Sequence, residues 1–439
     1  MIEPRPPRHI LVLGASGLIG RFITDDLRER GFAVTGVARR FATSQITGDD
    51  DLALSVMAMH AAALTQLLNA RAVDLVVNCL GVLQDGPGSD TNAVHRDFVA
   101  TLLQAIRASS RAIRLVHLSI PGAAGDDHTA FSRTKREAEQ LIAASGVSHT
   151  ILRPGFVIAP SAYGGSAMLR ALATLPVDLP ATESATLFQP VAVADIAATV
   201  AWLAAHGDMG DATWELMQPE PVTLGGVIAQ FRRAFGTAAW PRMAMPGFML
   251  DLGARLGDAT SCLGWMPPMR STAIAELRRG VRGDPAPWMA ATGIVPLTIA
   301  KMVGSRTATI QDKWFARLFL VKALSIASLS VFWIASGFIA VALSLPATKA
   351  ILASHDFPPA WVAPFAIGTS LMDISIGVLI AFRRSCAAGL VIGMLVSLGY
   401  MAGCAVLTPD LWLEPLGALV KTGPAIVLMA VALLTLDNR

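Results

Sequence analysis

Tyrosine is almost absent from this chain: there are two among 439 residues, Tyr163 and Tyr400, against 17 phenylalanines. Any chemistry that needs a phenol is thereby confined to two positions. Charge is sparse as well, at 15% of residues where a soluble domain carries about 25%. Basic and acidic side chains nearly cancel to +3, and the small excess sits beside apolar runs, so no nucleic-acid partner is required. The four cysteines, Cys79, Cys262, Cys386 and Cys404, have neither metal-ligand nor redox-pair spacing. Low-complexity tracts and repeats are missing. No signal peptide is expected, since Met1 to His9 holds three prolines and no long apolar run.

What the chain has in excess is apolar surface. Hydrophobic residues make up 53% and the mean hydropathy is +0.54, too apolar for one globular domain. The excess is concentrated at the C-terminal end. Residues 323–345 and 385–407 carry no charge, 361–382 carry only Asp373, and 416–436 carry only Lys421. Each stretch is about the 20 residues a helix needs to cross hydrocarbon, so an all-α bundle of four transmembrane helices is expected. Lys313, Arg317, Lys322, Arg383, Arg384 and Arg439 fall on one side of that arrangement. Lys349, His355, Asp356, Asp410 and Glu414 fall on the other, with Trp361 and Trp412 suited to the interface. Because basic residues collect on the cytoplasmic side, a multi-pass inner-membrane protein with both termini cytoplasmic is expected.

Isolated charges in hydrocarbon face a bundle interior or mark a functional path. Asp373 would lie about 15 Å and Lys421 about 7 Å below the outer starts of their helices, at 1.5 Å per residue. A salt-bridged pair is the favoured reading. A polar quinone or ion site, or a Lys421 that snorkels to the surface, are the alternatives.

Near the N-terminus the apolar run His9 to Leu13 enters Gly14-Ala15-Ser16-Gly17-Leu18-Ile19-Gly20, and helical periodicity follows. A strand, a glycine turn and a helix in that order are built to hold a dinucleotide. One glycine permits the turn, one admits a pyrophosphate, and one lets helix and strand pack closely. The helix N-terminus then offers unpaired N–H groups to phosphate. A second strand, residues 33–38, ends where an NAD site would place a carboxylate for the ribose 2′-hydroxyl. Arg39 and Arg40 stand there instead, and forked guanidinium donors suit a 2′-phosphate, so NADP(H) is expected rather than NAD(H). Further strands at 73–81, 114–119 and 147–152 alternate with helices at 90–109 and 133–144, which gives an α/β doubly wound parallel sheet.

In these residues the chain resembles the short-chain dehydrogenase/reductases of the extended or atypical kind, whose Rossmann-type domain binds NAD(P). The resemblance covers about 8–310 and rests on Gly14-x-x-Gly17-x-x-Gly20, Asn78-Cys79-Leu80-Gly81, Ser119, Lys135, Leu152-Arg153-Pro154-Gly155 and the run from Gln189 to Ala197. The last two stretches are similar to the branch that contains the nucleotide-binding accessory subunit of respiratory complex I. Residues 314–439 resemble the DoxX-like membrane family, most closely from Trp412 to Thr422. The division implied is a nucleotide domain at 8–220, a small substrate domain and linker at 221–310, and a membrane domain at 314–439.

By that resemblance Asp49 or Asp50, after a third strand, would approach the adenine. Asn78 to Gly81, with Pro154, would line the cofactor, and Lys135 would bond the nicotinamide ribose. The family works with a serine, a tyrosine and a lysine, the lysine lowering the phenol's pKa so that it can move a proton. Here Phe131-Ser132-Arg133-Thr134-Lys135 puts phenylalanine at the tyrosine position. Ser119 and Lys135 keep family spacing, and Tyr163 or His128 are the replacements available as proton donors.

The small-domain region carries helical patterns at 223–235 and 274–281. Between them lie Trp240, Met243, Met245, Met249, Trp265, Met266 and Met269, which either pack that domain or meet a lipid-like substrate or the bilayer. Two functions follow from the whole chain. The first is a membrane-anchored, NADPH-dependent oxidoreductase acting on an apolar or quinone-like molecule. The second is a catalytically silent module that binds NADPH for a membrane partner.

Overall fold

The computed structural model describes residues 9–41, 50–86, 88–206, 210–304, 308–413 and 417–436. They form two compact units, one of residues up to 258 together with 268–316, the other of 259–267 with 317 onward.

The first unit is built on a seven-stranded sheet. Its strands are β1 (Ile10–Leu13), β2 (Val34–Ala38), β3 (Leu52–Ala53), β4 (Leu75–Asn78), β5 (Arg114–Leu118), β6 (His149–Pro154) and β11 (Ala212–Leu216). The order is β11-β6-β5-β4-β1-β2-β3 and every pairing is parallel. Parallel strands buried on both faces read as continuous apolar runs, as Ile10 to Leu13 does with all four residues buried. On one face α1 (Leu18–Glu29) and α7 (Val193–His206) bury Ile23, Leu27, Ile196 and Val200. On the other, α2 (Ala61–Ala70), α3 (Phe98–Ala108) and α4 (Ala130–Ala143) bury Leu64, Leu68, Leu102 and Ile142. Strand order reverses between β1 and β4, the crevice where such sheets hold nucleotides.

Between β6 and β11 run β7 (Phe156–Ile158), α5 (Gly164–Ala173), β8 (Val177–Asp178), α6 (Ala181–Ala185), β9 (Leu187–Phe188) and β10 (Pro190–Ala192). After β11 come β12 (Val222–Thr223), α8 (Leu224–Phe235), β13 (Met243–Ala244), α9 (Gly247–Ser261), α10 (Ser271–Arg279), α11 (Ala286–Thr292) and α12 (Ile299–Gly304). Pairs β7–β10, β9–β12 and β8–β13 make three small sheets, and α8 packs Leu224, Val227, Phe231 and Phe235 beneath them.

The second unit contains α13 (Ile310–Phe338) from Arg317 onward, α14 (Leu345–Ser354), α15 (Pro359–Ala381), α16 (Cys386–Leu407) and α17 (Ala418–Leu434). Among the described residues three helices are long and apolar enough to cross a membrane: Ile310–Leu343, Pro359–Ala381 and Cys386–Leu407. Large apolar side chains point outward, with Leu324 at 69% and Val406 at 80% exposure. Small residues let the helices approach: a Cβ on Gly377 would lie 2.6 Å from the Ile334 side chain.

Several expectations shift. The third strand follows Asp50 rather than preceding it, and Asp50 pairs with Arg71 at 3.1 Å. Asp49 lies outside the described residues, as do Glu414 and Arg439. The helix expected from residue 90 opens with a π turn at Ala93–Asp97. Thr129 caps α4 by accepting from Ser132 N, so the helix starts three residues earlier than 133. The fourth apolar stretch gives a helix of 17 residues, at the short end of what crosses hydrocarbon, with Pro424 inside it. Asp373 and Lys421 form no ion pair: the Asp373 carboxylate accepts from the Tyr400 hydroxyl at 3.0 Å, and Lys421 is exposed. A phenol one helix away satisfies the buried carboxylate.

A candidate nucleotide site

The site begins at the turn after β1. Gly14 has φ +84°, a conformation that disfavours any side chain. A Cβ on Gly20 would come within 2.3 Å of the Gly14 carbonyl oxygen, so α1 can press against the turn only with glycine there. Ala15 is buried, its N–H donating to Val37 O at 3.1 Å, which ties the turn to β2. Ser16 and Gly17 complete the turn, and the first-turn N–H groups of Leu18, Ile19 and Gly20 have no intrahelical acceptor. These residues fit a pyrophosphate: bare backbone, positive dipole end, no Cβ in the way.

At the end of β2, Arg39 and Arg40 are both exposed. Asp51 turns back to accept from Gly36 N at 2.9 Å and from Arg28.

The C-terminal ends of β4 and β5 carry a buried polar cluster. Asn78 accepts from Leu80 N at 3.1 Å, which fixes its amide, so Nδ2 donates to His117 Nδ1 at 3.1 Å. His117 then carries its proton on Nε2, a buried atom with no partner among the described residues. Burial first, then the nearby Lys135 and His95, keep the His117 ring neutral by lowering its pKa. His95 is equally committed: Val82 N donates to Nε2 at 3.1 Å, so Nδ1–H donates to Thr134 Oγ1 at 2.8 Å. Burial, aided by Lys135, pushes its pKa down to about 3. A neutral ring with both nitrogens engaged holds α4 against the loop, its one proton committed to Thr134.

Lys135 projects from α4 into this cluster. Its Nζ donates to Leu118 O at 2.8 Å and to Leu80 O at 3.3 Å. A Cβ on Gly81 would sit 3.5 Å from Nζ. Burial lowers the Lys135 pKa to about 8, against the pull of Cys79 and Glu139. The same burial pushes the Cys79 thiol up to about 12, so Cys79 is an inert packing residue. One turn before Lys135, Phe131 meets the His95 ring edge to face at 5.7 Å. Ser119 donates its N–H to Leu152 O at 2.7 Å, and its buried hydroxyl lies toward Glu139. Pro154 closes β6 beside it, buried and in register with Leu216.

Neither substitute for the tyrosine is gathered in. Tyr163 caps α5 and is 51% exposed. His128 precedes α4, exposed, its carbonyl accepting from Arg133 at 3.0 Å.

What sequence reasoning missed is a chain of alternating charges. Arg279 on α10 contacts Asp127 at 2.7 Å, Asp127 contacts Arg136 at 3.0 Å, Arg136 contacts Glu139 at 2.9 Å, and Glu139 contacts Arg153 at 2.6 Å. Burial works to raise the Glu139 pKa, but Arg153, Ser119 and Arg136 outweigh it and hold the carboxylate below its usual range. Arg136 and Glu139 are legible as a helical i,i+3 pair. Arg279 lies 152 residues from Asp127 and carries no such signal.

Family models match both halves. Residues 14–201 match the NAD(P)H-binding family and 330–430 the DoxX-like family. The chain is an NAD(P)H-binding domain joined to a DoxX-like membrane domain. Solved structures give the first part its fold. MoeE5 in complex with UDP-glucuronic acid and NAD aligns over 68% of this chain and 97% of its own at 18% identity, TM-score 0.51. UDP-glucose-4-epimerase from Stenotrophomonas maltophila, with bound NAD and formylated UDP-arabinopyranose, aligns over 72% and 99% at 17% identity, TM-score 0.53. UDP-glucuronic acid 4-epimerase from Bacillus cereus aligns over 71% and 99% at 12% identity, TM-score 0.51. No curated protein matches in sequence. These likenesses show the fold of the NAD(P)H-binding domain.

Proposed function

We propose that this protein is a membrane-anchored oxidoreductase that uses NAD(P)H, with NADP(H) preferred, to reduce an apolar quinone-like acceptor supplied by the bilayer. The observation that carries this reading is Phe131, held against His95 one turn from Lys135 in an otherwise retained cradle. When bound, the nicotinamide supplies a hydride. Reducing a simple ketone that way leaves an alkoxide, whose conjugate acid resembles water at pKa about 16, so a proton donor is required in the transition state. A quinone instead becomes a phenolate-like anion with conjugate-acid pKa about 10, which takes its proton from solvent afterwards. A site without the tyrosine favours the second acceptor by the difference.

In this reading the glycine turn and the start of α1 hold the pyrophosphate, Arg39 and Arg40 the 2′-phosphate. Asn78, Gly81 and Pro154 line the cofactor, and the third Nζ proton of Lys135 bonds the ribose. Ser119 orients the acceptor. Basic residues beside the apolar helices support an inner-membrane location with this domain on the cytoplasmic side, where NADPH is available.

A second reading, nucleotide held without turnover for a membrane partner, is favoured by the same phenylalanine. The full chain in lipid nanodiscs separates them. Menadione should be reduced at the expense of NADPH, and cyclohexanone should not. Nucleotide binding with neither acceptor reduced would establish the silent module. Failure to bind NADPH or NADH would overturn both.

A further inference from the structure

Helix α9 has two apolar faces, and only one of them is covered. Leu250, Ala254 and Gly257 are buried, and Ile274 of α10 and Met269 pack against the first two. The approach is close there, since a Cβ on Gly257 would collide with Met269 O. On the far side, Phe248, Leu252 and Leu256 recur every fourth residue and are 68%, 51% and 58% exposed, with Met249 beside them also exposed. At 3.6 residues per turn these four side chains span an arc of about 100° along about 12 Å of helix.

No carboxylate falls inside that arc. Asp251 and Asp258 lie to one side of it and are paired, Asp251 with Arg278 at 2.9 Å and Asp258 with Arg270 at 3.2 Å. Arg255 stands exposed at its edge. Single exposed leucines need no explanation, but a continuous apolar stripe rimmed by charge marks a surface that meets something.

What it meets follows from where the helix leads. The last three residues of α9 and the segment up to Pro267 belong to the second unit. There Leu263 O accepts from Arg383 N and Trp265 Nε1 donates to Ala381 O, which ties the segment to the turn between α15 and α16. Both of those helices are long and apolar enough to cross a membrane, so their turn stands at the bilayer surface and Leu263 stands with it. Leu256 precedes Leu263 by seven residues, five of them helical, so it lies at most about 15 Å away. A helix rising from that point into water would carry Leu252 and Phe248 off bare. One lying along the surface buries all four side chains at the acyl boundary and leaves Arg255 at the level of the headgroups.

We infer that α9 is an in-plane membrane anchor whose Phe248, Leu252 and Leu256 face lies in the phospholipid beside the α15–α16 turn. This divides the methionines and tryptophans of that region: Met269 packs inside the domain, Trp265 closes a turn, and Met249 meets lipid. The inference rests on neither nucleotide binding nor turnover.

Spin labelling of the full chain in phosphatidylcholine nanodiscs tests it. Nitroxides are attached singly at Phe248→Cys, Leu252→Cys, Leu256→Cys and, on the flank, Asp251→Cys, with Cys262→Ser removing the exposed native thiol. The Cys262→Ser chain treated alike supplies the background from the other cysteines. Power saturation compares collisions with oxygen, which concentrates in lipid, and with a neutral nickel chelate, which stays in water. At 248, 252 and 256 oxygen should dominate, at a depth of about 5–10 Å, with an oxygen-to-nickel ratio several times that at 251. Equal ratios at all four positions would place the face in water or sink the whole helix, and either overturns the assignment. Few collisions with both agents at 248, 252 and 256 would put a second copy of the chain over the face and overturn it as well. Three positions, each checked by a thermal melt, keep the test readable if one variant fails to fold.

Discussion

The Lys135 ammonium donates to the carbonyl of Leu118 at 2.8 Å, so the lysine is anchored to the residue immediately before Ser119. That bond keeps lysine and serine in register although the tyrosine between them is gone. It also makes the lysine a buried charge. Its folded pKa, about 8, lies below the ordinary value of 10.5. Between those values the unfolded chain binds more protons than the folded one, so the Lys135 contribution to stability rises with pH. Lys135→Met should remove that rise, worth at most about 3 kcal/mol. Thermal melts of both proteins from pH 7 to above 10 check it: the wild type should gain on the variant as pH rises, and parallel curves would refute it.

Phe131→Tyr returns a phenol to the position one turn from Lys135. If hydride transfer is the function, reduction of cyclohexanone should climb by about a hundredfold or more, the usual contribution of a positioned general acid. Menadione reduction should change far less. Steady-state assays with both acceptors report the ratio, and an unchanged ratio would contradict the part assigned to Phe131.

Arg39→Ala with Arg40→Ala tests the nucleotide preference. Each charge-assisted bond to a 2′-phosphate is worth about 1.5–3 kcal/mol, so NADPH affinity should fall at least tenfold while NADH affinity stays. Fluorescence titration of both nucleotides measures this, and an equal loss for both would place the arginines elsewhere in binding.

Arg279→Met breaks the charge chain at its far end. Arg279 and Asp127 are 11% and 4% exposed at their side chains, and Arg279 also donates to Pro121 O at 3.0 Å. Removing one partner of a buried pair costs about 3–5 kcal/mol. Arg136 still faces Asp127, so the lower end is expected in chemical denaturation, and a loss below 1 kcal/mol would show the contact to be ornamental.

The sheet was legible because its strands are buried on both faces and must be largely apolar, as Ile10 to Leu13 and Leu75 to Val77 are. The turn was legible because Gly14 and Gly20 answer local backbone demands. Residues whose role depends on distant neighbours were not. His95 and His117 look like any histidine beside an apolar run, and only the folded sheet brings His117 to Asn78 and His95 to Thr134. The Asp373 and Lys421 pairing failed for a similar reason. Depth along a helix can be counted from sequence, but the facing direction that brings Tyr400 to Asp373 depends on how three helices pack.

Segment 259–267 belongs to the membrane unit although it precedes the first apolar helix by some 40 residues. Trp265 Nε1 donates to Ala381 O at 2.7 Å, Arg383 N donates to Leu263 O at 2.9 Å, and the Arg383 guanidinium covers the Trp265 ring at 5.4 Å. Those contacts close the turn between α15 and α16, whose free carbonyls would otherwise need water. The chain therefore has no clean place to be cut in two. A fragment ending before Ile310 carries Trp265 without its carbonyl, and one beginning there leaves Ala381 without its indole. Whoever expresses either half alone divides one folded unit, and during synthesis that turn stays unfinished until its helices emerge to meet a tryptophan made well before them.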